Sequence, residues 1–122
     1  MILADTSVWV DHLRCANTRM VSLLAEGEIA GHQFVIGEIA LGHLKHRQEI
    51  LGLLSDLPQA TLADHDEVLR FVEQRELATS GLGWVDVHLL AAAALDRCGL
   101  WTLDRRLAAV ASSLGLGDRA GA

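Results

Sequence analysis

Proline occurs once in this sequence, at Pro58, and no stretch is dominated by a few residue types. Because 51% of the residues are apolar, that scarcity excludes a disordered or low-complexity chain and implies a buried core. Cysteine is nearly as rare. Cys15 and Cys98 lie far apart in helix-like surroundings and form no CxxC spacing, which argues against a disulfide framework or a zinc site and for two reduced thiols. Long hydrophobic runs are missing too. The longest, Leu89 to Leu95, is too short to span a bilayer, and Asp5 arrives too soon for the apolar core of a signal peptide. A cytoplasmic protein without a membrane segment is expected.

Basic residues are in short supply, ten against 16 acidic ones for a net charge of −6, and Lys45 is the only lysine. That balance ordinarily counts against nucleic acid, whose phosphates call for a basic surface. If four of the acids share a cation, however, twelve remain against ten bases, and the charge neither supports nor excludes RNA. A length of 122 residues suits one domain and leaves no room for a second full core. Without an internal repeat or a dividing linker, residues 1–114 read as one domain and Gly115 to Ala122 as a mobile tail.

What is present is an alternation of short apolar runs and amphipathic ones. Ile2, Leu3 and Ala4 stop at Asp5, and Thr6 and Ser7 can cap a helix carrying Val8, Trp9 and Leu13. Asn17 and Thr18 open a second helix to about Ala25, with Gly27 as its stop and a strand residue or two at Ile29 and Ala30. Phe34, Val35 and Ile36 form the next apolar run, and Gly37 opens a helix with Glu38 in its first turn. A helix from about Arg47 to Leu57 is ended by Pro58, Ala60 to Leu62 suit a short strand, and Asp64 caps a helix to about Ala78. After the loop Thr79 to Gly83 comes an alanine-rich helix to about Cys98 with Asp86 in its first turn. Leu100 to Leu103 then form a strand, Asp104 follows, and Arg105 to Leu114 make a last helix. The pattern predicts an α/β fold, a three-layer α/β/α sandwich around a parallel sheet of four or five strands.

Asp5, Glu38, Asp86 and Asp104 each stand where an apolar run gives way to a helix-like one. If those runs are parallel strands, the four carboxylates meet at the carboxyl edge of one sheet, where such folds place their ligand sites. Singly, each acid is explained by helix capping or by the helix dipole. As a set they point further, because clustered carboxylates repel and raise one another's pKa unless a cation joins them. Oxygen ligands of this kind suit Mg²⁺ or Mn²⁺, hard ions whose coordination is often completed by phosphate oxygens.

Four stretches carry a family likeness: Asp5-Thr6-Ser7, Phe34-Val35-Ile36-Gly37-Glu38-Ile39, Gly83-Trp84-Val85-Asp86-Val87-His88, and Trp101-Thr102-Leu103-Asp104-Arg105-Arg106. In their order and spacing the chain resembles the PIN-domain ribonucleases, and among them the VapC-type toxins of bacterial toxin–antitoxin pairs. The resemblance implies a Mg²⁺-dependent endoribonuclease, with Mn²⁺ as an alternative ion, that leaves a 5′-phosphate and a 3′-hydroxyl. It implies an acidic metal site of Asp5, Glu38, Asp86 and Asp104, with Asp5 and Asp86 as direct ligands and Glu38 and Asp104 acting through metal-bound water. Thr6, Ser7 and Thr102 would orient carboxylates or phosphate, and a cognate antitoxin and a homodimer are implied as partners. One departure is visible, since the family continues past the last helix into an apolar strand whereas Gly117 to Ala122 is small and polar.

Arg105 and Arg106 stand beside Asp104 within reach of RNA phosphates, although arginines opening a helix are more often solvated. His43 and His46 at i, i+3 read as a surface pair, His88 as directed away from Asp86, and Trp9, Trp84 and Trp101 as core or subunit contacts. Transfer of phosphate to aspartate is disfavoured, because Ser7 stands where such phosphatases place a second Asp and no lysine follows a late strand. The remaining alternative is a non-catalytic module of the same fold that binds RNA or a peptide.

Overall fold

A computed structural model of the protein describes residues 1–118. Its elements are β1 (Ile2–Ala4), α1 (Thr6–Cys15), α2 (Thr18–Ala25), β2 (Ile29–Ala30), α3 (Gln33–Ala40), α4 (Arg47–Asp56), α5 (His65–Gln74), α6 (Trp84–Asp96), β3 (Gly99–Trp101) and α7 (Arg105–Ser113). The sheet is parallel with order β2-β1-β3, and Ile2 lies opposite both Ile29 and Gly99. Single bridges at Gly31–Gln59 and Leu100–Gly117 extend pairing by one position on either side. Three strands and two bridges thus stand where four or five strands were expected.

Chain direction explains the layers. From β1 the path moves outward to β2 and then to Gln59, and right-handed crossovers place α1 to α4 on one face. It then returns across the sheet to β3 and Gly117, which puts α5, α6 and α7 on the other. Packing agrees, with α1 against α3, α3 against α4, and α5 against α6. The reversal falls between β1 and β3, where parallel sheets open a crevice at their carboxyl edge. Both strands are buried there, with Leu3 and Ala4 fully covered and Leu100 and Trp101 nearly so.

Three expected elements differ, the first being the short strand at Ala60 to Leu62, where pairing is limited to the bridge at Gln59 and the Ala60 N–H donating to Gly31 O (2.7 Å). Phe34, Val35 and Ile36 are not a strand but the first turns of α3, because His32 caps that helix by accepting the Phe34 N–H at Nδ1 (3.0 Å). The strand of this unit is Ile29–Ala30, and Val35 turns inward as a helical core residue, 1% exposed. The stretch from Leu41 to His46 is a turn rather than a helix face, with His46 left-handed at the start of α4, so His43 and His46 do not share a helical register. The tail is tied down over its described part: Leu100 N–H donates to Leu116 O (2.8 Å) and Asp118 N–H to Leu100 O (3.2 Å). An Arg19–Asp118 ion pair adds to this, while Arg19 lies over the Trp101 ring. Residues 119–122 of that tail lie outside the described residues.

His32 is fully buried, and its Nε2 has no partner among the described residues. Burial, aided by nearby His88 and opposed by Asp96, pushes this imidazole down to about 4. A depressed folded-state pKa contributes stability that is complete above the ordinary value of 6.5 and is lost as pH falls toward 4. The urea midpoint is therefore expected to fall between about pH 7 and pH 4.5. His32→Asn, which preserves a capping acceptor, should flatten that part of the profile even at lower absolute stability. Equal slopes in the two proteins would place the acid sensitivity elsewhere.

Candidate active site

Asp5 follows β1 directly and caps α1, a dual position that buries it to 5% exposure. Its Oδ1 accepts the Ser7 N–H (3.0 Å), the Ser7 hydroxyl (2.5 Å) and, at longer range, the Val8 N–H (3.4 Å). Oδ2 accepts the Thr102 hydroxyl at 2.6 Å. Both hydroxyls are themselves oriented by backbone, Ser7 Oγ accepting from Leu103 N–H (2.9 Å) and Thr102 Oγ1 from Asp104 N–H (3.0 Å). Ser7 and Thr102 thereby lace the end of β1 to the turn after β3. The helix cap expected of Thr6 and Ser7 is supplied by Asp5 instead.

Asp104 caps α7 through the Leu107 N–H (2.9 Å) and is exposed. Glu38 sits in the second turn of α3 and accepts the Thr6 hydroxyl at 2.5 Å, which ties α3 to the start of α1. Asp86 lies in the first turn of α6, where its carboxylate accepts the Gly83 N–H (3.3 Å). Each acid is thus engaged by a donor, Glu38 by one from a neighbouring helix, and among the described residues no three such groups form a ready-made metal cage. They nevertheless sit within electrostatic reach. Asp86 is raised above the usual carboxylate range by its burial and then by Asp104, Asp5 and Glu38 together, against the opposing Gly83 hydrogen bond. Four carboxylates from four separate elements therefore share one edge of the sheet, and their all-oxygen donor set fits a hard divalent cation.

The arginines expected nearby behave differently from one another. Arg106 reaches back across the loop, its guanidinium donating to Gly81 O at 3.4 Å. Gly81 is left-handed, with φ +84, and a Cβ there would fall 2.6 Å from Arg106 Nη1, so glycine is required for this contact. Arg105 is exposed at the start of α7.

A ring ladder that joins α3, α6 and α5 is the feature that sequence reasoning missed. Ring centroids run from His32 to Phe34 at 5.4 Å, from Phe34 to His88 at 4.6 Å, from His88 to Trp84 at 5.0 Å and from Trp84 to His65 at 5.4 Å. His88 is buried and wedged between α3 and α6, the helices that carry Glu38 and Asp86, so it helps to set their separation. Its imidazole is depressed by burial and then by His65. The i, i+4 spacing of Trp84 and His88 was the available signal.

A parallel, doubly wound α/β sheet with acids gathered at its switch point defines a class of proteins built to act on charged ligands at that edge. The PIN-domain profile matches residues 2–113, and the chain belongs to the PIN-domain family. It is 49% identical over 117 residues to Ribonuclease VapC32 of Mycobacterium tuberculosis, in strain CDC 1551 / Oshkosh and in strain H37Rv. The alignment covers 95% of this chain and 94% of each relative.

The raised Asp86 makes a prediction that needs no substrate. A carboxyl whose folded pKa is raised contributes stability below its unfolded pKa and loses it as pH rises through the folded value. At neutral pH its charge is a local strain. Asp86→Asn keeps an acceptor for Gly83 N–H while removing that charge, so the melting temperature in chelator-treated buffer at about pH 7.5 should rise by a few degrees. The gain should shrink as pH approaches about 4. A lower melting temperature at both values would show that the four charges do not repel as described.

Proposed function

We propose that the protein is a divalent-metal-dependent endoribonuclease, the toxin of a type II toxin–antitoxin pair, with Asp5, Glu38, Asp86 and Asp104 as its metal-holding acids. The observation that carries this reading is the gathering of four carboxylates at the carboxyl edge of the sheet, Asp5 tied to the β3–α7 turn through Thr102 and Glu38 to α1 through Thr6, with half-buried Asp86 raised first by its burial and then by Asp104, Asp5 and Glu38. The 49% identity to a ribonuclease supports it. Mg²⁺ is the favoured ion, with Mn²⁺ as its substitute, since the donors are carboxylates that suit hard cations.

When bound, the cation lowers the pKa of a water and offsets charge on the scissile phosphate. The chain's own work is positioning. Ser7 and Thr102 fix both oxygens of Asp5, and Oδ2, with one hydrogen bond against the several at Oδ1, is the oxygen with lone-pair capacity to spare. Thr6 holds Glu38 from the first residue of α1. Hydrolysis forms a bond from water oxygen to phosphorus and breaks the bond from phosphorus to O3′. A proton from the water passes to O3′, leaving a 5′-phosphate and a 3′-hydroxyl.

The antitoxin is assigned to the groove of about 690 Å³ beside Glu38, lined by Val10, Leu13, Ile39, Leu44 and Ile50 with Arg14 and Lys45 at its side. An apolar segment filling this groove reaches the acids without displacing the sheet. The single domain is taken to run through Asp118, past the boundary expected at residue 114, and to pair with a second copy in the cytoplasm. No helix among the described residues is long and apolar enough to cross a membrane.

Cleavage of total RNA, mapped to the nucleotide with Mg²⁺ and with chelator, tests this reading. Asp5→Asn and Asp86→Asn should each abolish cleavage with the fold intact, and full activity in either counts against it. Ser7→Ala and Thr102→Val should lower activity by roughly ten- to hundred-fold through misorientation of Asp5, with a matching loss of Mn²⁺ affinity by calorimetry. The rival, a binding module of the same fold, gains if chelator changes no RNA transaction and no ion binds.

A further inference from the structure

Cations are scarce in this chain, and most of those described are already engaged or lie away from the acids. Arg19 pairs with Asp118, Arg106 donates to Gly81 O, Arg70 and Arg75 line a hollow with Glu67, and Arg97 closes the end of α6 remote from Asp86. Arg14 and Lys45 differ. Both are exposed, neither side chain makes a hydrogen bond or ion pair among the described residues, and both line the groove that also holds Glu38. Arg105, exposed beside Asp104, is their counterpart on the other flank of the site.

Lys45 is presented by a turn built to hold it out. Between α3 and α4 the run His43-Leu44-Lys45-His46-Arg47 carries basic or imidazole side chains at every position but Leu44, and no acid. Arg47 folds back along this turn, its guanidinium donating to Ala40 O and to Gly42 O (3.5 Å), while His46 redirects the chain through a left-handed conformation at φ +52 that strains a residue other than glycine. Leu44 packs against the core. His43, Lys45 and His46 are thereby left exposed along the groove that Glu38 shares.

We propose that Arg14 and Lys45, with the imidazoles of His43 and His46, bind backbone phosphates of the RNA strand on the Glu38 flank of the cut, an interaction surface that rests on the ribonuclease reading. Charge decides it. One divalent ion offsets two of the four carboxylate charges, so phosphates on either side of the scissile one still meet a negative edge and need cations from the chain itself. A protein of net −6 has no general basic surface to offer, and a few unpaired cations beside the acids do that work. Lys and Arg hold phosphate as N–H donors as well as by charge, and a neutral imidazole still supplies one N–H. Contacts of this kind position the strand without choosing its sequence. The apolar floor assigned to the antitoxin lies in the same groove, so strand and inhibitor exclude one another.

The test measures binding of a single-stranded RNA oligonucleotide to the whole protein in chelator, across a series of salt concentrations. For each of Arg14→Gln and Lys45→Gln, affinity at about 0.1 M salt should fall roughly three- to ten-fold, and the slope of log K against log salt should drop by about 0.7, the value for one phosphate contact on a single strand. The double variant should lose both increments, Lys45→Arg should keep the wild-type slope, and Arg70→Gln, at a cation outside the groove, should change neither quantity. With Mg²⁺ present the same losses should appear in KM while kcat is kept. Wild-type slopes in both single variants would overturn the proposal and leave the groove to the antitoxin alone. An equal loss in Arg70→Gln would overturn it too, by reducing the effect to net charge. Binding with these slopes but no cleavage under any divalent ion would instead sink the ribonuclease reading and leave the phosphate surface standing.

Discussion

A carboxylate buried at the end of a central strand is unfavourable unless donors surround it, and Asp5 meets that condition by drawing on both sides of the β1–β3 seam. Ser7 approaches from its own helix and Thr102 from the neighbouring strand, and each hydroxyl is aimed by a backbone N–H from the turn after β3. The network therefore does two things at once. It joins the carboxyl ends of two strands at the point where the winding of the sheet reverses, and it presents the Asp5 side chain there in a fixed orientation. The remaining acids are placed relative to this tie, Asp104 through the same turn, Glu38 through Thr6, and Asp86 by the loop that Arg106 straps down at Gly81.

The placement of Asp5 and Asp104 was legible in the sequence, since Asp5 directly follows a strand, Asp104 follows one after a two-residue turn, and each caps the next helix. Glu38 and Asp86 were legible for a partly wrong reason. Neither follows a strand: Glu38 lies inside a helix that begins five residues earlier, and Asp86 enters from a loop. An apolar triplet such as Phe34-Val35-Ile36 carries no periodicity of its own, and only the capping imidazole of His32 settles it as helix. The family likeness, spanning all four stretches, compensated for that ambiguity. His88 was set aside because helical projection turns it away from Asp86, which is true and is also what lets it wedge between two site-bearing helices. The strand-like pairing near Gly117 escaped notice because it is carried by main-chain groups of Leu116 and Asp118, which composition does not reveal.

Each acid in this site serves a local structural need as well as a collective one. Asp5 and Asp104 cap helices, Asp86 reaches back to Gly83, and Glu38 clamps Thr6. The dual use lets the sheet edge fold while its four charges repel, because every carboxylate has a donor before any cation arrives. Asp64 marks the contrast. It forms a complete capping box with Glu67 and is not among the groups that act on Asp86, so capping and clustering are separable properties of this chain.

Both ends of the described polypeptide are woven into the sheet. The amino group of Met1 pairs with Glu28, Ile2 N–H donates to Glu28 O, and at the other end Asp118 is held by Arg19 and by Leu100. Trp101, over which Arg19 lies, immediately precedes Thr102, the hydroxyl that steadies Asp5. An affinity handle or a reporter fused at the carboxyl end thus pulls on a seam one residue removed from the chemistry. Fusions that spare this protein's behaviour will need slack on that side before the first folded element they add.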